Sequence, residues 1–135
     1  MQSIKRTKTF EFIGNPIPLQ RARFAGGHVF DPQKHAKLAI GITMNRQLAD
    51  EDLFVGPLEV MFEFHFATAK RISLTRKLQL YNTPFVNVPD CDNCIKFYLD
   101  CANKILYNDD AAIATIYARK IYGPIPKVIM TLSEL

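Results

Sequence analysis

The chain has 135 residues, 48% of them hydrophobic and 22% charged, with three cysteines and a formal net charge of +4. That is enough chain for one compact domain with its own core, and it excludes a disulfide-stapled scaffold, a collagen-like repeat and a disordered tail. No stretch approaches the roughly 18 consecutive apolar residues of a membrane span. The basic start (Lys5, Arg6, Lys8) leads into an alternating segment rather than the apolar centre of a signal peptide, so the chain is expected to stay in the cytoplasm.

Thr7 to Ile13 alternates, with Phe10 and Phe12 on one side and Glu11 on the other, and predicts a strand. Two prolines in Gly14-Asn15-Pro16-Ile17-Pro18 end it, because each fixes φ and lacks a donor. Arg21-Ala22-Arg23 follows, then Gly26-Gly27, which suits a tight turn or a flexible lip. Asp31-Pro32 predicts a helix start with Asp31 as N-cap, the helix running to about Ala49 with Leu38, Ile42 and Leu48 buried. Leu58 to Phe66 is the clearest strand, with Leu58, Val60, Phe62, Phe64 and Phe66 on one face. Residues 67–88 hold no sustained period but carry Lys70, Arg71, Arg76 and Lys77 without an acid among them, on an expected short helix from Lys70 to Leu80. A helix is expected over 93–106, then strands at Ile113–Tyr122 and Lys127–Leu132 around a Gly123-Pro124 turn. The order β-α-β-(basic loop)-α-β-β predicts one α+β domain over residues 1–135, a mixed sheet with helices packed on it.

Charge is unevenly placed. Residues 90–110 carry Asp90, Asp92, Asp100, Asp109 and Asp110 against Lys96 and Lys104, a net −3, which leaves a net +7 on the remaining residues. A basic body around a small acidic nest suits a protein that attracts a polyanion and holds cations at one spot, although solvation of the surface would account for the lysines and arginines as well. At 100° per residue, Asp92, Asn93, Lys96, Asp100, Asn103 and Lys104 share an arc of roughly 120°, and apolar residues fill most of the rest of the 93–106 helix. So wide an apolar stripe suggests contact with the sheet on one side and a second subunit on another.

Pro89 breaks the chain so that Asp90 and Asp92 meet where it is extended or just turning into the helix, and an antiparallel return could bring Asp109-Asp110 beside Asp90. Converging carboxylates without histidine form a hard-oxygen site that favours Mg²⁺ or Mn²⁺ over zinc. The spacing is not a calcium EF-hand, since Ile95 and Cys101 stand where Gly and Glu are required. Such sites are the usual apparatus of phosphodiester hydrolysis, and Lys96 could orient the phosphate. The plainer alternatives are that the aspartates only cap a helix and that Lys96 only pairs with Asp92 four residues away. Cys91, Cys94 and Cys101 lie too close and too few for a disulfide framework, so the environment reads as reducing; with no histidine in range they also lack a zinc fourth ligand.

Asp90-x-Asp92-Asn93-x-x-Lys96, Asp100, then Asp109-Asp110 before a strand resembles the signature of RusA-type Holliday junction resolvases. Gly14-Asn15-Pro16-Ile17-Pro18 with Arg21-Ala22-Arg23, and Val29-Phe30-Asp31-Pro32 before a helix, are similar to that family's N-terminal segment, so the resemblance spans about 15–133. The resemblance implies a homodimeric endodeoxyribonuclease, bacterial or phage-encoded, that nicks opposed strands of four-way DNA symmetrically with Mg²⁺ or Mn²⁺ in recombination and repair. By the same resemblance Asp90, Asp92 and Asp110 would be metal-binding catalytic carboxylates and Lys96 the catalytic lysine. Charge, rather than a motif, assigns Arg21, Arg23, Lys70, Arg71, Arg76 and Lys77 to the DNA. The chain departs from the family pattern at Asn87-Val88, where a basic residue is common, at Ala22, where Pro is frequent, and at Cys101-Ala102. The rival readings are a branched-DNA-binding protein without catalysis and a small cysteine-based metal protein.

Overall fold

The computed structural model describes residues 5–135, so residues 1–4 of the expected domain lie outside the described residues. In chain order the elements are β1 (Thr7–Ile13), β2 (Arg23–Ala25), β3 (His28–Phe30), α1 (Lys34–Leu48), β4 (Leu58–Phe66), α2 (Leu74–Leu80), α3 (Cys91–Ala102), a 3-10 turn (Asp110–Ala112), β5 (Ile113–Tyr122) and β6 (Lys127–Glu134). Four strands form a mixed sheet in the order β1-β6-β4-β5, in which β4 and β5 run parallel and the other neighbours antiparallel. The architecture is α+β, and no helix among the described residues is long and apolar enough to cross a membrane.

Alternation along the strands sends one set of side chains under the helices. Phe10 and Phe12 of β1, Val60, Phe62 and Phe64 of β4, and Val128, Met130 and Leu132 of β6 are buried there. Tyr98 of α3 lies across them, stacked on Phe12 at 5.6 Å between ring centroids, and its hydroxyl accepts a hydrogen bond from the Ile17 backbone N–H at 3.2 Å. That bond gives a buried hydroxyl its partner and ties the proline segment to the helix. The other sheet face is open, with a depression of about 420 Å³ bordered by Thr9, Met61, Tyr117, Ile129 and Thr131 and by the paired Glu63 and Arg119.

The wide apolar arc of α3 is satisfied within the chain. Cys94, Phe97, Tyr98, Leu99, Cys101 and Ala102 are all buried, and α3 packs against α1 as well as the sheet, so the arc by itself calls for no second subunit. The helix stops at Asn103, where Lys104 turns to a φ of 68°.

Three expected helices differ, the last of them, expected over 93–106, only in its bounds of Cys91–Ala102. Asp31 does not cap α1, which starts at Lys34. Its carboxylate instead accepts from the Gln33 N–H at 2.8 Å and from Lys37 Nζ at 2.7 Å, closing a turn ahead of the helix. Leu38 and Ile42 are 61% and 49% exposed rather than buried, and Gly41 shows why. A Cβ at Gly41 would stand 2.8 Å from Ile105 Cδ1, so the helix makes its closest approach along that line and turns the next stripe outward. The basic segment winds only from Leu74, where the Ser73 side chain caps Arg76 N–H, and none of its helical residues is buried. The glycine pair, read as a turn or a lip, closes the β2–β3 hairpin.

Candidate active site and nucleic-acid interface

The acidic nest opens at the N-terminus of α3. Pro89 leads in, Asp90 takes the extended N-cap conformation (φ −67°, ψ 141°) and Asp92 lies in the first turn. Asp90 holds the cap position without capping, since its carboxylate takes no N–H of the first turn. Among the described residues the Asp92 carboxylate accepts only from the Asn93 N–H, at 3.0 Å. Among the described residues neither aspartate is in an ion pair, and Lys96 does not pair with Asp92. Two carboxylates at the start of α3 and the Lys96 ammonium, one turn on from Asp92 on the same helix face, therefore stand exposed and uncommitted.

Two other parts of the chain converge on this spot. The Leu19 N–H donates to the Asn93 carbonyl at 2.9 Å, so the segment carrying Arg21 and Arg23 leaves the fold beside Asp92. Gln33 fixes that exit from the far side: its Oε1 accepts from Gln20 N–H and its Nε2 donates to the Pro18 carbonyl, each at 2.8 Å. From the sheet, Lys120 Nζ donates to the carbonyls of Asn87 and Pro89 at 2.7 Å each, bracing the loop that presents Asp90. Sequence reading missed Gln33 and Lys120. The signal for Lys120 is its register, because it shares the helix-facing side of β5 with Ala118, where an apolar residue is expected.

Asp110 lies elsewhere. Its backbone N–H donates to Asn103 Oδ1 at 3.0 Å, which puts it at the C-terminal end of α3. A 12-residue helix is about 18 Å long. The strand that returns to the Asp90 end starts at Ile113, so Lys120 arrives there and Asp110 stays at the far end. Among the described residues, no three His, Cys, Asp or Glu side chains gather as a metal cluster. The aspartate pair is itself divided: the Asp109 carboxylate accepts from Ala111 N–H at 3.1 Å, caps the 3-10 turn and is held below its ordinary range by that bond. Burial, with the nearby Asp109 and Asp100 carboxylates, pushes Asp110 up. Asp100 also has Lys37 Nζ at 3.9 Å.

Two of the three cysteines belong to the apolar layer. Cys94 and Cys101 are buried, and burial raises their thiols to about 11 and about 12, so they stay protonated in the apolar layer. His65 is buried too, its Nε2 3.2 Å from Glu63 Oε1. The donors present suit a hard dication: Mg²⁺ is typically held by one or two carboxylates together with waters and substrate phosphate, and Asp90 and Asp92 supply two free carboxylates. The basic residues are open to solvent. Arg21, Arg23, Lys70, Arg71 and Arg76 are exposed, Lys77 is partly so, and among the described residues none of the six is in an ion pair. The α2 segment that carries part of this charge rejoins the fold at Tyr81 and Pro84, which bridge to the end of β5 near Lys120.

The model of the RusA endodeoxyribonucleases matches residues 14–133, nearly the whole chain. The chain belongs to the RusA family. It is also 24% identical over 141 residues to the uncharacterized protein YqaN of Bacillus subtilis strain 168, an alignment that takes in 100% of this chain and 99% of that protein. Family membership makes the chain a nuclease of the Holliday junction-resolving class, and the match runs through both the proline–arginine segment and the acidic nest.

Proposed function

We propose that the chain is a homodimeric, divalent-metal-dependent endonuclease that resolves four-way DNA junctions by paired nicks. The observation that carries this reading is the pair of uncommitted carboxylates, Asp90 and Asp92, beside the free ammonium of Lys96 in a RusA-family chain. A capping role would have used the Asp90 carboxylate on the first-turn N–H groups, and it does not. Asp90 and Asp92 would hold Mg²⁺ or Mn²⁺, which when bound supplies charge neutralisation at the phosphate and activation of a water. Lys96 would orient the scissile phosphate and offset charge that develops on it. Lys120 acts as a positioning residue by fixing the carbonyls at 87 and 89 ahead of Asp90.

The separated Asp110 supports the dimer. One ion holds its oxygens at about 2.1 Å, so it cannot span the length of α3. A two-fold axis that sets two copies of α3 side by side and antiparallel would bring the start of one helix to the end of the other. Each site would then comprise Asp90, Asp92 and Lys96 of one copy with Asp110 of the partner subunit. Isologous pairing of this kind produces two equivalent sites, as symmetrical nicking requires.

The test is a labelled four-way junction and a matched linear duplex, each with Mg²⁺, Mn²⁺ or EDTA. Paired nicks in the junction alone, dependent on metal, are expected; tight junction binding with no cleavage under either metal would contradict the proposal and leave an architectural binder. The basic surface has its own expected result. Arg71→Ala should weaken junction binding and lower the slope of log K against log salt by about one, because each phosphate contact releases roughly one counterion. An unchanged slope, measured by fluorescence anisotropy across a salt series, would remove the α2 region from the interface.

A further inference from the structure

The β2–β3 hairpin stands apart from the core. Every residue from Gln20 to Asp31 is exposed. Its turn is Gly26-Gly27, with φ values of 59° and 80°, the positive pair that a tight two-residue hairpin demands. Phe24 and Val29 are directly opposed in the register, so both project from one face of the ribbon, and they are 73% and 70% exposed. Neither belongs to the core cluster. A ring and a branched aliphatic thus form an apolar blade at the end of a two-stranded ribbon.

The blade is placed and charged for a particular occupant. The ribbon's base is pinned by Gln33 to Gln20 and Pro18 and by Leu19 to Asn93, so it rises from the rim of the Asp90–Asp92 site. Arg21, Arg23 and Lys34 are exposed along the same stretch of chain, and Asp31, the one acid between residues 20 and 34, is paired with Lys37. An apolar edge inside a cationic setting matches a ligand that presents flat apolar faces within a polyanion. Nucleic-acid bases do so where stacking is interrupted, and in branched DNA that place is the crossing point.

We propose that the Phe24–Val29 face enters the open centre of a four-way junction and stacks on the bases at the crossing point. In this position the hairpin selects branched over linear DNA and sets the strands beside Asp90 and Asp92. Apolar wedges that unstack base steps, and aromatic platforms that take up a freed base, are established means of holding distorted nucleic acid. The proposal rests on the reading of the chain as a branched-DNA nuclease, and its test separates the two.

The experiment uses the full chain in EDTA, where cleavage is held off, and junctions carrying 2-aminopurine either at the crossing point or within an arm. Wild-type protein should raise fluorescence at the crossing point and leave the arm probe unchanged. Phe24→Ala should remove that rise and weaken junction affinity by about tenfold or more, with duplex affinity unchanged. Phe24→Tyr, which keeps the ring, should retain both. Because Phe24 is exposed, the thermal unfolding of all three proteins should coincide. An equal rise with Phe24→Ala, or junction binding by the wild type with no rise, would overturn the role of the hairpin and leave the nuclease reading standing. Failure of the wild type to bind the junction would overturn both.

Discussion

Asp92→Asn is expected to lower the single-turnover rate of junction cleavage by about three orders of magnitude or more, while junction binding holds or tightens. The substitution keeps size and shape and removes one of two free carboxylates. A thousandfold loss corresponds to about 4 kcal/mol of transition-state stabilisation, within what is expected when a dication loses an anionic ligand at a phosphoryl centre. Binding moves the other way, because one negative charge leaves a surface that must accept a polyanion. Folding should change little: Asp92 is exposed, and its interaction with the start of α3 is worth about 0.3–1 kcal/mol. Rapid-quench cleavage set beside anisotropy titrations checks both halves. Cleavage by Asp92→Asn within tenfold of wild type would exclude Asp92 from the metal site.

The sheet was legible in the sequence wherever one face of a strand is buried. Phe10 and Phe12, and the five apolar residues from Leu58 to Phe66, alternate because helices cover one side only. The β2–β3 hairpin was not legible as strands, since ribbons of three residues with both faces exposed leave no period to read. The line along which α1 packs was misread for a similar reason. It follows Gly41, which contributes no hydrophobic signal, and not the nearby Leu38 and Ile42. The width of the α3 arc was correctly seen, but its explanation lay in α1, a partner that periodicity cannot name.

The candidate site was half legible. Pro89 before Asp90 and Asp92 marks a helix start, and the structure has one there. The position of Asp110 depended on geometry that no local pattern carries: the helix carries the chain away for its whole length before the strand returns. The residue brought back to the Asp90 end is a lysine, and Lys120 became visible only once the register of β5 against β4 was known.

That separation leads to the second large expected effect. In the dimer described above, Asp92→Asn and Asp110→Asn chains are each inactive. In a mixed dimer of the two, one site carries both substitutions and the other carries neither. Random exchange of subunits at equal amounts makes half of the dimers mixed, so about a quarter of the wild-type site concentration should return. Such dimers should nick one strand of a junction without making the symmetrical second cut. The most direct measurement is therefore cleavage by the two variants separately and after co-refolding, on a junction labelled in both opposed strands with Mg²⁺ present. Two silent variants whose mixture produces single nicks are the expected result. A mixture as silent as its parts would place the whole site within one chain and contradict the shared-site account.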